Sequence, residues 1–96
     1  SLYAIAKSGL VAATRASAAE FAPLGIRVNA LSPGTVDTDM VRANPAEAQD
    51  VMVGIQLMRR MARPDEMVGP ALLLTSDAGS FITGQVLFAD GGMVPR

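Results

Sequence analysis

Gly25-Ile26-Arg27-Val28-Asn29-Ala30-Leu31-Ser32-Pro33-Gly34 is the stretch on which the fold turns. Residues 26–31 are short, mostly apolar and partly β-branched, which predicts a strand Ile26–Leu31 of the kind buried inside a parallel sheet. Pro33 and Gly34 then make a sharp turn at the strand's carboxyl end. In open α/β sheets ligands bind at that end. The residues alone leave two readings of the turn open, a plain exit from the strand and a ligand-facing one.

Upstream, Leu2 to about Ala22 reads as one long helix, rich in alanine and free of internal proline. Alanine is the best helix former and lets a neighbouring backbone come close. A helix apolar on so many sides is expected to be buried on more than one, by a sheet and by a partner helix. Pro23 cannot continue it cheaply, and Gly25 suits a left-handed cap. At its start Tyr3 and Lys7 stand four apart, one turn from each other on one face. A phenol ordinarily titrates near ~10. A nearby ammonium favours the phenolate and brings the group within reach of acid–base work at neutral pH. The same spacing also suits a half-buried aromatic beside a solvated amine.

Downstream, residues 39–62 form a long excursion. Asn44-Pro45-Ala46-Glu47 predicts a helix start with Asn44 as N-cap, Pro45 as first and Glu47 as third residue. Ala48, Val51, Met52, Ile55 and Met58 follow at helical spacing as one apolar stripe. Arg59, Arg60 and Arg63 just beyond read as a solvated charge cluster. Pro64-Asp65-Glu66 opens a further helix with acidic residues in its positive first turn. Gly69-Pro70 inside it predicts a kink or a late true start. Gln85 to Ala89 is a second buried strand, ended by the turn Asp90-Gly91-Gly92.

The order is thus helix, strand, excursion, helix, strand, and two strands joined through a helix form a right-handed parallel crossover. Two parallel strands are too few for a domain of their own. With a chain that opens on Ser1 directly into a helix, this leads us to expect the back portion of a longer protein. The 96 residues are half apolar, a globular composition. Eight basic against nine acidic residues and a pI near 5.1 give no cationic field for nucleic acid or an anionic membrane. Without cysteine or histidine there is no disulfide framework and no ordinary zinc site. No apolar run reaches the about 18 residues of a membrane span. These features fit a reducing cytoplasm.

Taken together, Tyr3-x-x-x-Lys7, Gly25 through Gly34, Val36-Asp37-Thr38, and Thr83-Gly84-Gln85 leading to Asp90-Gly91-Gly92 resemble the C-terminal portion of a short-chain dehydrogenase/reductase. The resemblance runs across essentially all of residues 1–96 and rests on the order and spacing of the pieces. It implies an α/β fold, the C-terminal part of a doubly wound, Rossmann-like parallel sheet whose dinucleotide-binding half lies upstream. It implies an NAD- or NADP-dependent oxidoreductase that interconverts an alcohol and a ketone by hydride transfer. Tyr3 would be the acid/base, and Lys7 would lower its pKa and hold the nicotinamide ribose. Pro33 and Gly34 would shape the floor under the nicotinamide, Val36 would offer its backbone to the carboxamide, and Thr38 would bind the carboxamide or a phosphate. Residues 39–62 would be a mobile substrate lid, lined by Met40, Met52, Ile55 and Met58. Asn29 would tie strands together. The intact protein would be a homo-oligomer, a dimer or tetramer, acting on a small-molecule carbonyl or alcohol.

The similarity from Met58 through Asp90 leans toward 3-oxoacyl carrier-protein reductases and sugar-acid or polyol dehydrogenases. The family's glycine-rich pyrophosphate turn and its catalytic serine have no counterpart in this sequence, so residues 1–96 alone are expected to be inactive. A second reading, a catalytically inert binding or oligomerisation module derived from the same fold, stays open on the residues alone.

Overall fold

In the computed structural model, residues 1–93 are described, except for the side chain of Tyr3. Helix α1 spans Leu2–Phe21 and is capped by Ser1, whose hydroxyl accepts from the Ala4 amide at 3.2 Å. A 3-10 turn, Ala22–Leu24, carries the chain off it, and Gly25 takes φ 73° as the left-handed cap. The expected stop signals act as read. Strand β1 is Ala30–Pro33, helix α2 Asp39–Arg42, helix α3 Ala46–Gly54, helix α4 Val68–Thr75 and strand β2 Val86–Ala89. The two strands are neighbours and run parallel: the Ala30 amide donates to the Gln85 carbonyl at 2.9 Å, and that of Gly34 to Ala89 at 3.2 Å.

The chain divides into two compact units, and both strands run from one into the other. The first comprises Ser1–Leu31 and Leu72–Leu87, the second Ser32–Ala71 and Phe88–Arg96.

Within the first unit, α1 turns one stripe inward. Lys7 and Val11 are half-buried and Thr14 and Ala18 buried, four positions at helical spacing. The other faces are open, with Leu2 86% and Ile5 68% exposed. Within residues 1–93 one face is covered; the second face, expected against a partner helix that another subunit could supply, is open in this single chain. Gly84 approaches Ala18 so closely that a Cβ on it would lie 3.4 Å from the Ala18 methyl.

The strand starts four residues later than its composition predicts. Arg27, Val28 and Asn29 are held mainly by side-chain bonds, with one backbone bond from the Gly84 amide to the Val28 carbonyl. The Arg27 guanidinium donates to the carbonyls of Leu74 (2.8 Å), Ile82 (3.1 Å) and Ser76 (3.2 Å), taking up carbonyls at and beyond the end of α4. Asn29 accepts from the Gln85 amide and donates to the Ile82 carbonyl, both at 3.0 Å. Apolar composition reports burial, but only a partner strand makes a strand: Gly84 donates its amide to the Val28 carbonyl at 2.8 Å, and the regular ladder begins only with Ala30 and Gln85.

In the second unit the caps differ from those read off the sequence. Asn44 donates its amide to the Met40 (3.2 Å) and Val41 (3.0 Å) carbonyls, closing the end of α2. Pro45 is accordingly the N-cap of α3, and Glu47 falls one place earlier than expected. A short polar side chain satisfies whichever helix end it reaches first. The apolar stripe also breaks early: α3 ends at Gly54, so Ile55 is its cap and Met58 lies beyond it. Pro64–Met67 forms a 3-10 turn and α4 begins only at Val68, so Pro70 sits in its first turn, where the missing amide costs nothing.

Candidate active site

The expected site residues fall into two sets, one in each unit. Tyr3 and Lys7 are on α1, one turn apart and in its first turns, and Lys7 is half-buried. The side chain of Tyr3, on which the acid/base assignment falls, lies outside the described residues. The helix still fixes what matters for such a pair, the four-residue spacing on one face.

The second set is assembled by irregular backbone following β1. Val36 bridges Ala62 in parallel: the Ala62 amide donates to the Thr35 carbonyl at 2.8 Å, and its carbonyl accepts from the Asp37 amide at 2.9 Å. This pattern uses the groups on either side of Val36 and turns Val36's own amide and carbonyl the other way. Among the described residues, neither makes a hydrogen bond. Two residues on, the Thr38 hydroxyl caps α2 by accepting from the Val41 amide at 3.3 Å, which leaves its proton to donate. Pro33 ends β1 and is exposed. At Gly34 a Cβ would lie 2.8 Å from the Asp90 carbonyl and 2.8 Å from Gln56 Oε1, so only glycine fits between them.

The expected lid residues do not share one helix. Met40 on α2 is 80% exposed, and Met52 on α3 is half-buried with its carbonyl accepting from the Thr35 hydroxyl at 3.3 Å. Ile55 and Met58 are exposed at and beyond the helix end. Met58 lines a cavity of about 160 Å³ with Gly34, Thr35, Gln56 and Asp90.

Two ion pairs brace this unit. Arg42 grips both oxygens of Asp37 at 2.7 and 3.1 Å, a hydrogen-bonded pairing that holds the Asp37 carboxyl below its ordinary range. Arg60 likewise grips Glu66 at 2.6 and 2.9 Å, and with the Arg63 amide it brings the Glu66 carboxyl down to about 2. Arg60 and Arg63 are thus paired with acids, and Arg59 donates to the Gln56 carbonyl at 2.6 Å, so the basic cluster is more tied down than its solvated reading implies.

Sequence reasoning missed Gln56. It is 3% exposed and every donor of its amide is used. The signal available was a polar residue flanked by Ile55, Leu57 and Met58 at the end of the apolar stripe. No group of acidic, cysteine or histidine side chains able to hold a metal occurs among the described residues. Nor is any described helix long and apolar enough to cross a membrane.

A helix bearing Tyr and Lys four apart, parallel strands and a glycine turn at the strand exit define a short-chain dehydrogenase/reductase of Rossmann type. The sequence model described as enoyl-(acyl carrier protein) reductase matches residues 1–94, and the chain belongs to that family of oxidoreductases. It is 44% identical over 92 residues to the cis-4-hydroxycyclohexanecarboxylate dehydrogenase of Sinomonas cyclohexanicum, covering 96% of this chain and 37% of that protein. To the 3-oxoacyl-(acyl-carrier-protein) reductase of Thermotoga maritima it is 38% identical over 92 residues, covering 96% and 37%. The crystal structure of the 3-oxoacyl-(acyl-carrier protein) reductase of Brucella melitensis superposes with a TM-score of 0.87 at 39% identity, covering 98% of this chain and 35% of that one. The chain thus spans little more than a third of the length of these relatives.

Proposed function

We propose that the protein carrying this chain interconverts an alcohol and a ketone with NAD or NADP, and that Tyr3 is the acid/base. The observation that carries the reading is the pair of outward-turned groups on Val36, with the Thr38 hydroxyl two residues on. One donor and one acceptor on adjacent backbone atoms match a carboxamide, which offers the complementary acceptor and donors. The residues present therefore fit the nicotinamide end of a dinucleotide. They do not supply a seat for its pyrophosphate, since the sequence contains no Gly-x-x-x-Gly-x-Gly turn.

When bound, the cofactor supplies the hydride chemistry. Tyr3 gives its proton to the carbonyl oxygen as the alcohol forms and takes it back in the reverse direction. The Lys7 ammonium, one turn away, favours the phenolate that this cycle passes through and holds the ribose hydroxyls. Pro33 and Gly34 form the floor, and residues 39–62 close over the substrate as a lid. The relatives act on a 3-oxoacyl group and on a hydroxylated ring acid, which supports a small or medium carbonyl substrate. The open apolar faces of α1 suit assembly as a homo-oligomer, a dimer or tetramer, in the cytoplasm.

Titrating the protein that carries this chain with NADH and with NADPH tests the reading. Saturable binding, accompanied by reduction of a 3-oxoacyl thioester or a cyclic ketone, is expected. Absence of binding for both cofactors would leave the inert-module reading in its place. Residues 1–96 alone are expected to bind at best at about millimolar, on the order of −4 kcal/mol, for want of the pyrophosphate seat.

A further inference from the structure

Gln56 stands where the excursion returns to the strands, and its amide is fully committed. Its Oε1 accepts from the buried Thr35 amide at 2.8 Å, and its Nε2 donates to the Met58 carbonyl at 3.1 Å and the Arg60 carbonyl at 2.9 Å. The backbone around it is pinned too: the Leu57 amide donates to Gly92 at 3.0 Å and the Met58 amide to Gly91 at 2.9 Å. Thr35 is in turn the residue before Val36, and its hydroxyl reaches the Met52 carbonyl. One side chain therefore joins the segment that leaves β1 to the segment 56–60 that ends the excursion.

We propose that Gln56 is a positioning residue, whose buried carboxamide cross-links Thr35 to Met58 and Arg60 and so fixes the backbone on which Val36 presents its unpartnered amide and carbonyl. The ligand side of this inference rests on the nicotinamide reading of Val36. Among the described residues, only the isolated bridge to Ala62 holds this backbone from the main chain, and the buried Gln56 amide adds the side-chain support that a continuous ladder would otherwise give. The same cross-link makes residues 56–60 the fixed end of the lid, leaving any movement to residues 39–55.

Two variants separate this from a packing role. Gln56→Met keeps the length and loses all three bonds. Gln56→Glu keeps an acceptor for Thr35 but, when ionised, turns an oxygen toward two carbonyls. Asp90 lines the same cavity and adds a second negative charge, while the Arg60 guanidinium there is engaged by Glu66. Burial and Asp90 favour the protonated form of the introduced carboxyl, and the Arg59 guanidinium, held at the Gln56 carbonyl at 2.6 Å, favours the ionised one; protonation returns one donor.

The experiment is amide hydrogen exchange at Thr35 and Val36 in the protein that carries this chain, free of cofactor, alongside cofactor affinity. Each variant is compared with the native protein at the same pH. Gln56→Met should exchange faster at Thr35 by on the order of tenfold or more at every pH, the loss expected for a buried hydrogen bond. Gln56→Glu should do so while its carboxyl is ionised and return toward native as pH falls through the carboxyl's own pKa, read by titration, with cofactor affinity following the same pattern. Native exchange at Thr35 in Gln56→Met, or a Gln56→Glu phenotype indifferent to pH, overturns the inference. If the native protein binds neither cofactor, the nicotinamide reading falls, and the exchange data still decide whether Gln56 holds Thr35.

Discussion

The unit containing α1 and the unit containing the excursion solve the problem of placing functional groups by different means. In the first, the helix itself fixes the spacing of Tyr3 and Lys7, and long-range side-chain bonds from Arg27 and Asn29 tie the strand entry to the segment before β2. In the second, Gly34, Val36 and Thr38 lie on backbone without a regular ladder, and Gln56, Arg42 and Arg60 hold their surroundings together. A regular element makes spacing dependable and needs little support from outside. Irregular backbone can present its own amide and carbonyl to a ligand, which a helix interior cannot, but each turn of it needs a specific side chain to keep it in place. Damage to the first unit's site should therefore show in chemistry, and damage to the second in affinity and stability.

The sharpest test of that contrast is at Tyr3. Tyr3→Phe in the protein that carries this chain keeps the ring and removes the transferable proton. Turnover should fall by roughly 10²- to 10⁴-fold, the usual worth of general acid–base catalysis, with an unchanged melting temperature. Lys7→Ala should lower turnover and weaken cofactor binding together. Near-normal ketone reduction by Tyr3→Phe would show the acid/base assignment to be wrong.

Next in size are two glycines, one in each unit. A Cβ at Gly79 would fall on the Leu73 carbonyl oxygen, and one at Gly34 would lie 2.8 Å from both the Asp90 carbonyl and Gln56 Oε1. Both substitutions meet backbone that cannot swing aside, the Leu73 carbonyl at Gly79 and Asp90 at Gly34, and the overlap at Gly79 is the deeper. We expect each to cost about 1–3 kcal/mol of stability, Gly79→Ala the more, by analogy with overpacked cores. Only Gly34→Ala should also weaken cofactor binding, and chemical denaturation with cofactor titration reads both. Equal loss of cofactor affinity in the two variants would erase the distinction between the units.

Gly34 also shows how far the sequence could be read. The helix α1, its stop at Pro23 and Gly25, the late start of α4 and the turn after β2 follow from local chemistry, and all were legible. The strand boundary was not, because Ile26 is as apolar as Leu31 and only the register of β2 tells them apart. Asn44 was legible as a cap but not as the cap of α2, since Met40 and Val41 look equally plausible as lid. The residues proposed to face the cofactor were legible through family resemblance, whereas the place of Gln56 depends on its neighbours Leu57 and Met58 being pinned by Gly92 and Gly91 from the far end of the chain. Long-range supports leave no periodic trace.

A smaller effect is expected on α3. Bulky substitutions at Met52 or Ile55 should change the preference among ketones several-fold while leaving cofactor affinity in place, because a hydrophobic contact of about a methylene's worth discriminates only modestly. Competition assays with two carbonyl substrates would show it. Shifted cofactor affinity with unaltered selectivity would move these residues out of the lid.

The smallest effect is electrostatic and belongs to the second unit alone. Glu66 accepts from the Arg60 guanidinium and from the Arg63 amide, and these hydrogen bonds bring its carboxyl from 4.5 down to about 2. A carboxyl depressed on folding adds stability above its unfolded pKa, and that contribution is lost as pH falls through the folded value. The window is therefore from about 4.5 to about 2. The side chains are 48% and 26% exposed, so water and salt screen the ionic part and the gain is modest. Melting temperature should fall across this window, and in Glu66→Gln, which has no proton to gain, it should fall less steeply. Relative to the intrinsic rate at each pH, the Arg63 amide should lose protection in acid before the Ala30 amide of the first unit. If both amides lose protection together, the turn at Pro64–Met67 opens only with the rest of the chain, and the two units are one in stability though two in design.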